Sequence, residues 1–296
     1  MQPQYSTIDM HIHSTASDGV DSPQEIVAKA KEIGLRLISI TDHDCIDGVA
    51  PGRIAAERAG IGFVSGLEMT VFLYTSMYED GRKPAELHLL GYGIDETNPL
   101  LCTELTENRR YRQWRIDEIV RKVNEVLISD GKVPIELLEI EELQRSVEGA
   151  IARPHLARFM VEKGIVPDVQ SAFQNYLIKC NIPHRQVLFE QGSQLIRSAG
   201  GKVVLAHPGG SANYSLGAIA SMGRHWEIIG MLREFIDGLE CFHSEHKPEQ
   251  ADDYAKIAQH YGLMITGGSD HHGGPSYGDK LGNVIVPEYV AEQFKQ

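Results

Sequence analysis

Apolar and polar positions along the chain alternate with two periods. From Ile8 to His13 they take turns, with Ile8, Met10 and Ile12 in one set and Asp9, His11 and His13 in the other. A period of two places the sets on opposite faces of a strand. Ser22-Pro23-Gln24-Glu25 then reads as a capping box with proline in the first turn. Ile26, Val27, Ala30 and Ile33 repeat at helical spacing until Gly34 supplies a stop. Leu35 to Thr41 is β-rich, Val49 to Ala59 is helical and ends at Gly60, and Ile61 to Val64 and Glu86 to Ile94 read as the third and fourth strands. Strands alternating with helices predict a parallel sheet whose polar loops gather at the strands' C-terminal ends.

The rhythm breaks between about Pro99 and Val187. Leu100 to Leu127 predicts a long helix with Ile116, Ile119, Val120, Val123 and Leu127 on one side, decorated by Arg109, Arg110, Arg112, Arg115, Arg121 and Lys122. That basic island is either a solvated face paired with nearby glutamates or a surface for an anion. Helices over Ile135 to Arg145, Pro154 to Lys163 and Asp168 to Leu177 follow. The alternation returns with a helix over Gln191 to Ala199, strands at Lys202 to Ala206, Leu239 to Phe242 and Leu263 to Thr266, and a helix over Pro248 to Tyr261. Residues 1–98 and 188–296 therefore read as two parts of one α/β domain, and 99–187 as a helical insertion capping its site.

Composition narrows the function. The 296 residues, 42% hydrophobic and 23% charged, suit a soluble globular protein. A net charge of −13 argues against a protein that coats nucleic-acid backbone, which needs many Lys and Arg. A single phosphate at a metal site remains compatible, because bound cations reverse the local field. Cys45, Cys102, Cys180 and Cys241 form no C-x-x-C pair, which predicts reduced thiols. No apolar run approaches a membrane span, and residues 1–7 lack a signal pattern. A cytoplasmic protein with no membrane contact and no obligate protein partner is expected.

Most of the thirteen histidines lie in or beside clusters of ligand-type residues at the ends of predicted strands. Asp9-Met10-His11-Ile12-His13, Thr41-Asp42-His43-Asp44, Gly66-Leu67-Glu68, Ala206-His207-Pro208 and Gly268-Ser269-Asp270-His271-His272 stand in an order that resembles the polymerase and histidinol phosphatase (PHP) superfamily of metal-dependent phosphoesterases. The resemblance spans nearly the whole chain. It is strongest to the bacterial branch with a helical segment in the barrel, which includes nucleoside 3',5'-bisphosphate phosphatases and 5'-to-3' exoribonucleases. It implies a distorted (β/α)7 TIM-like barrel with an inserted helical subdomain.

His11, His13, Asp18, His43, Glu68, His88, His207, Asp270 and His272 are the candidate ligands, too many for one ion that takes about four. Two to three divalent cations are expected. By resemblance, His11, His13, Glu68 and Asp270 hold the first, Glu68 bridges to a second bound by His88 and His207, and Asp18, His43 and His272 hold the third. Imidazole with carboxylate suits manganese, iron or zinc and does not decide among them. Asp9, Asp42 and Asp44 are expected to orient ligating imidazoles.

The chemistry expected is hydrolysis of a phosphate ester by a metal-bridging hydroxide, with Asp18, His43, Asp270 and His246 as catalytic residues. By resemblance Arg153 and His155 grip the substrate phosphate, and Lys179 and His243 are further candidates for contact with it. The stretch Tyr176-Leu177-Ile178-Lys179-Cys180 departs from the family's usual Gly-Lys-Pro-like turn. The expected substrate is a nucleoside 3',5'-bisphosphate or the 5' end of a short RNA, never an extended duplex. Histidinol phosphate is the alternative substrate, and a non-catalytic metal- or nucleotide-sensing module the alternative of another class.

Overall fold

In the computed structural model seven strands form one sheet in chain order: β1 (Ile8–Ile12), β2 (Leu37–Ile40), β3 (Gly62–Leu73), β4 (Ala85–Tyr92), β5 (Lys202–Leu205), β6 (Gly238–His243) and β7 (Met264–Gly268). The structure describes residues 6–74, 84–146, 151, 153–211, 214–274 and 280–294. Most of the loop from Thr75 to Ala85, whose sequence reads as a surface excursion in preference to a lid, lies outside the described residues. The sheet curls until its edges meet. Ile12 bridges to His271 in parallel, His13 N–H donates to His271 O at 2.9 Å, and Asp270 N–H donates to His11 O at 2.9 Å. That approach depends on glycine: a Cβ on Gly268 would lie 2.4 Å from His11 N.

One strand breaks the expected parallel order. β4 runs antiparallel to both β3 and β5, while β1 with β2, β2 with β3, β5 with β6 and β6 with β7 pair in parallel. Eleven residues separate Leu73 from Ala85, fewer than the dozen or more that a parallel crossover needs. The hairpin also lengthens the third strand. Glu68 therefore sits inside β3 and not beyond a strand ending at Val64.

Helices cover the outer face. The capping box opens α1 (Pro23–Ile33): Glu25 N–H donates to Ser22 Oγ at 3.3 Å and Ser22 N–H donates to Glu25 Oε2 at 2.8 Å. It buries Ile26, Val27 and Ala30 in a cluster with Ile12, Ile38, Ile40 and Ala56, the last from α2 (Val49–Ala59). Ile12 of the apolar set thus packs on the helices, and His11 and His13 on the opposite face turn toward Glu68.

The chain divides into two compact units, Met1–Thr103 with Gln186–Gln296, and Glu104–Arg185. The break falls inside α3 (Pro99–Ser129). Its first turn, capped by the Asn98 side chain, which accepts from Leu100 N and Leu101 N at 3.1 Å, buries Leu101 completely. The second unit contains the rest of α3, α4 (Leu137–Ser146), α5 (Arg153–Glu162) and α6 (Val169–Ala172), which continues as a wider π turn over Phe173–Leu177. Its own core joins Ile116, Ile119, Val120, Val123 and Leu127 to Leu156, Met160 and Leu177. Among the described residues no helix is long and apolar enough to cross a membrane.

Candidate metal centre

The nine expected donors all belong to the barrel unit, and Glu68 is their hub. Thr70 pairs with His88 across the β3–β4 ladder, so Glu68, Thr70 and His88 share one face. Glu68 Oε1 lies 2.7 Å from His88 Nδ1 and 2.9 Å from His207 Nε2. Glu68 Oε2 lies 3.1 Å from His43 Nδ1 and 3.2 Å from Nε2 of both His11 and His13. Five imidazoles thus converge on one carboxylate that is 1% exposed.

Beyond the hub the donors fall into overlapping groups. His11, His13, Glu68 and Asp270 form one; His13, Asp18, His43 and His272 another; His43, Glu68 and His88 a third. The first is the set expected for one cation. The second adds His13 to the expected Asp18, His43 and His272, and in the third His43 stands where His207 was expected. His207 still reaches Glu68, through the other end of its carboxylate. Asp18 is the most open donor, its side chain 39% exposed.

The spacing suits cations. Donors about 2.1 Å from a tetrahedral ion lie roughly 3.4 Å apart, and His11 Nε2 and His13 Nε2 are separated by 3.1 Å, with Asp270 Oδ1 3.1 Å from the latter. His13 Nδ1 and His243 Nε2 are buried without a hydrogen-bond partner. Such groups are costly unless something polar or charged meets them. The groups are enough for more than one ion.

Without cations, protons hold this charge. Burial alone would keep His11 and His13 neutral, but Glu240, Glu68 and Asp270 outweigh it at His11, whose pKa rises well above the usual value. Asp270 and Glu68 likewise outweigh burial at His13 and push it up to about 10. The surrounding imidazoles hold Glu68 and Asp270 well below the carboxylate range despite their burial. At His43 burial wins and lowers the pKa to about 4, and His207 is lowered for the same reason.

Backbone strain is concentrated here. Asp44, His207 and Asp270 are the non-glycine residues with positive φ among those described, at 45°, 26° and 53°, a conformation costing on the order of 1–3 kcal/mol per residue. Each is tied down through its N–H: Asp44 to Glu68 O at 2.7 Å, Asp270 to His11 O, and His207 to Glu240 Oε2 at 2.7 Å.

Glu240 is one residue that the sequence reading missed. Fully buried on β6, it accepts from His11 Nδ1 at 2.9 Å while taking the His207 N–H, so it fixes two donors at once. The aspartates expected to orient imidazoles accept from backbone N–H groups and serine hydroxyls. Asp9 accepts from Ser269 N, Gly282 N and His11 N; Asp42 accepts from Ser14 N and the Ser14 and Ser17 hydroxyls; Asp44 accepts from Thr70 N.

His246 departs from its expected role. Its Nδ1 donates to Cys241 O at 2.9 Å and its Nε2 accepts from Gly209 N–H at 3.0 Å. Burial lowers its pKa to about 4, and with both nitrogens occupied by backbone it ties the loop at Gly209 to β6, its one ring proton held by Cys241 O. His243 faces the centre, its Nε2 3.5 Å from Asp270 Oδ2. A pocket of about 250 Å³ opens over seven of the donors and is also lined by Tyr214, Glu245 and Lys280, none singled out by sequence. Tyr214 stacks on His88 with ring centroids 4.6 Å apart.

In the helical unit Arg153 opens α5 with its guanidinium 5.9 Å from the Phe173 ring centroid, His155 two residues on is half-buried, and Lys179 is exposed. Arg115, part of the basic island, is instead buried, donating to Ile182 O at 2.6 Å and Asn181 Oδ1 at 2.9 Å.

The chain is similar to known proteins along most of its length. The chain is 30% identical to the 5'-3' exoribonuclease Rnm of Escherichia coli over 89% of its own length and 84% of that protein. It is also 30% identical to the 3',5'-nucleoside bisphosphate phosphatase of Chromobacterium violaceum, over 94% and 91%. A crystal structure of a Bifidobacterium adolescentis protein described as a metal-dependent phosphoesterase superposes with a TM-score of 0.76 at 28% identity, over 99% of this chain and 96% of that one. A family model described as the PHP domain matches residues 9–179, the stretch carrying Glu68 and five of the histidine and aspartate donors around it, and the chain accordingly belongs to the PHP family of metal-dependent phosphoesterases.

Proposed function

We propose that this hydrolase removes a phosphate from a nucleoside 3',5'-bisphosphate, or acts on the 5' end of a short RNA, with His11, His13, Asp18, His43, Glu68, His88, His207, Asp270 and His272 holding two to three divalent cations. The observation carrying the reading is the convergence of five imidazoles on the buried Glu68 carboxylate. The names of the two relatives, a bisphosphate phosphatase and an exoribonuclease, support the nucleotide class. Manganese is our first choice of metal, with iron and zinc equally compatible with the donors. Bound cations would clamp phosphoryl oxygens, lower the pKa of a water toward about 7 and stabilise the leaving oxygen.

The chain's own residues prepare the rest. Glu240 fixes the ring of His11 and the backbone of His207. Asp18, His43 and Asp270 act at the reacting phosphate, and the exposure of Asp18 supports entry from its side. His243 is our candidate for a hydrogen bond to the substrate phosphate: its Nδ1 accepts from Glu245 N–H at 3.1 Å, which leaves Nε2 of the neutral ring as the donor, on the side of Asp270. Arg153, His155 and Lys179 are proposed as further contacts to the substrate. The fit of a small pocket to a chain end supports a small substrate over a duplex.

The test is phosphate release by the manganese-loaded protein from adenosine 3',5'-bisphosphate, a 5'-phosphorylated RNA trinucleotide and histidinol phosphate, with nucleotide products resolved in parallel. Preference for either of the first two is expected. Preference for histidinol phosphate would overturn the nucleotide reading, and metal-loaded protein inert on all three would favour a sensing module.

A further inference from the structure

We propose that Lys280 binds a second anionic group of the substrate, so that this pocket takes phosphomonoesters carrying a further phosphate; the proposal rests on the phosphoesterase reading above. The donors around Glu68 serve one phosphate. A second phosphate on the same molecule needs a cation elsewhere, and Lys280 is the one Lys or Arg lining the pocket among the described residues.

Its surroundings leave the ammonium available. The Nζ lies 3.5 Å from Ser244 Oγ, and it makes no ion pair among the described residues. The pocket's four carboxylates are engaged otherwise: Asp18, Glu68 and Asp270 face imidazoles, and Glu245 Oε2 accepts the Ser211 N–H at 3.0 Å. Lys280 is also anchored at its root. Its backbone N–H donates to Nδ1 of the buried His271 at 3.2 Å, and His271 Nε2 donates to Asp21 Oδ2 at 3.2 Å, which Lys29 Nζ meets at 2.6 Å. A lysine fixed at the backbone, with one long hydroxyl contact at its tip, can exchange that contact for a charge-assisted bond to phosphate at little cost. His271 thereby also acquires a role, as the support of this lysine.

The test compares the manganese-loaded wild type with Lys280→Met and Lys280→Arg on adenosine 3',5'-bisphosphate and on adenosine 3'- and 5'-monophosphate. Lys280→Met should raise KM for the bisphosphate about tenfold or more, leave kcat/KM for the hydrolysed monophosphate within about threefold, and be largely rescued by Lys280→Arg. Equal losses on both substrate types would show a structural or counterion role and overturn the proposal. Calorimetric binding of the bisphosphate keeps the outcome independent of turnover: equal affinity in wild type and Lys280→Met, or none in either, overturns it. A wild type that binds the bisphosphate with Lys280-dependent affinity but hydrolyses none of the three nucleotides would instead sink the phosphoesterase reading and leave the anion site standing.

Discussion

In the helical unit Arg121 spans Glu118 and Glu125 on an exposed face, Lys163 meets Glu139, and Arg185 meets Glu104 and Glu107. In the barrel His11, His13, Glu68, His88 and His207 are all nearly sealed from solvent and face one another. The first arrangement is ordinary solvation, in which each pair contributes little. The second works against burial, strains three backbone positions and leaves ring nitrogens unmet, which a fold selected for stability alone would avoid. Where charge is buried in the helical unit, as at Arg115, backbone carbonyl and amide groups satisfy it. The contrast separates a site from a surface.

Glu68→Gln should break the contrast most completely. Removing the hub's charge should cost on the order of 10³-fold in kcat with loss of bound metal, since cation-assisted catalysis supplies several kcal/mol; elemental analysis beside the assay checks it. Full metal and activity in this variant would refute the centre as described. Next in size is the pH response of metal-free protein. His13, raised to about 10, contributes stability that is complete below its ordinary value of 6.5 and is lost as pH rises toward 10. His43 and His246, lowered to about 4, stay neutral in the fold while the unfolded chain takes protons, so stability falls as pH drops from 6.5 to 4. Thermal melts of the apoprotein should therefore peak between these limbs, and metal affinity should climb with pH as His13 gives up its proton.

A smaller effect is expected at Glu240→Gln. Glutamine can accept from His11 or from His207 N–H while its amide faces the other, so metal affinity should drop about 10- to 100-fold with the fold retained, as metal competition titrations would show. Smallest is Arg153→Ala in the helical unit, with KM up about tenfold and metal content unchanged. Unchanged KM there would restrict substrate contacts to the barrel.

The donors were legible because strand periodicity puts Asp9, His11 and His13 on one face and because His43, His207, Asp270 and His272 follow strands directly. Glu240 was hidden by its apolar neighbours Leu239 and Cys241, in a strand that reads as simple core. The reversed β4 was less visible, since an isolated apolar run does not carry its direction; the length of the connection before it does. Tyr214 and Lys280 reach the pocket from loops that no periodicity describes. The seven-strand barrel expected by resemblance matches the sheet observed.

Asp9 accepts hydrogen bonds from Ser269 N–H and Gly282 N–H, partners 260 and 273 residues away along the chain. Contacts so distant in sequence carry a large loop-closure entropy and are slow to form. During synthesis His11 and His13 emerge early, whereas Asp270 and His272 arrive after nearly all of the barrel, so a growing chain has imidazoles long before it has a complete cation cage. Closure of β1 against β7 is thus a late event in maturation, and the order of translation itself delays tight metal capture until the barrel is shut.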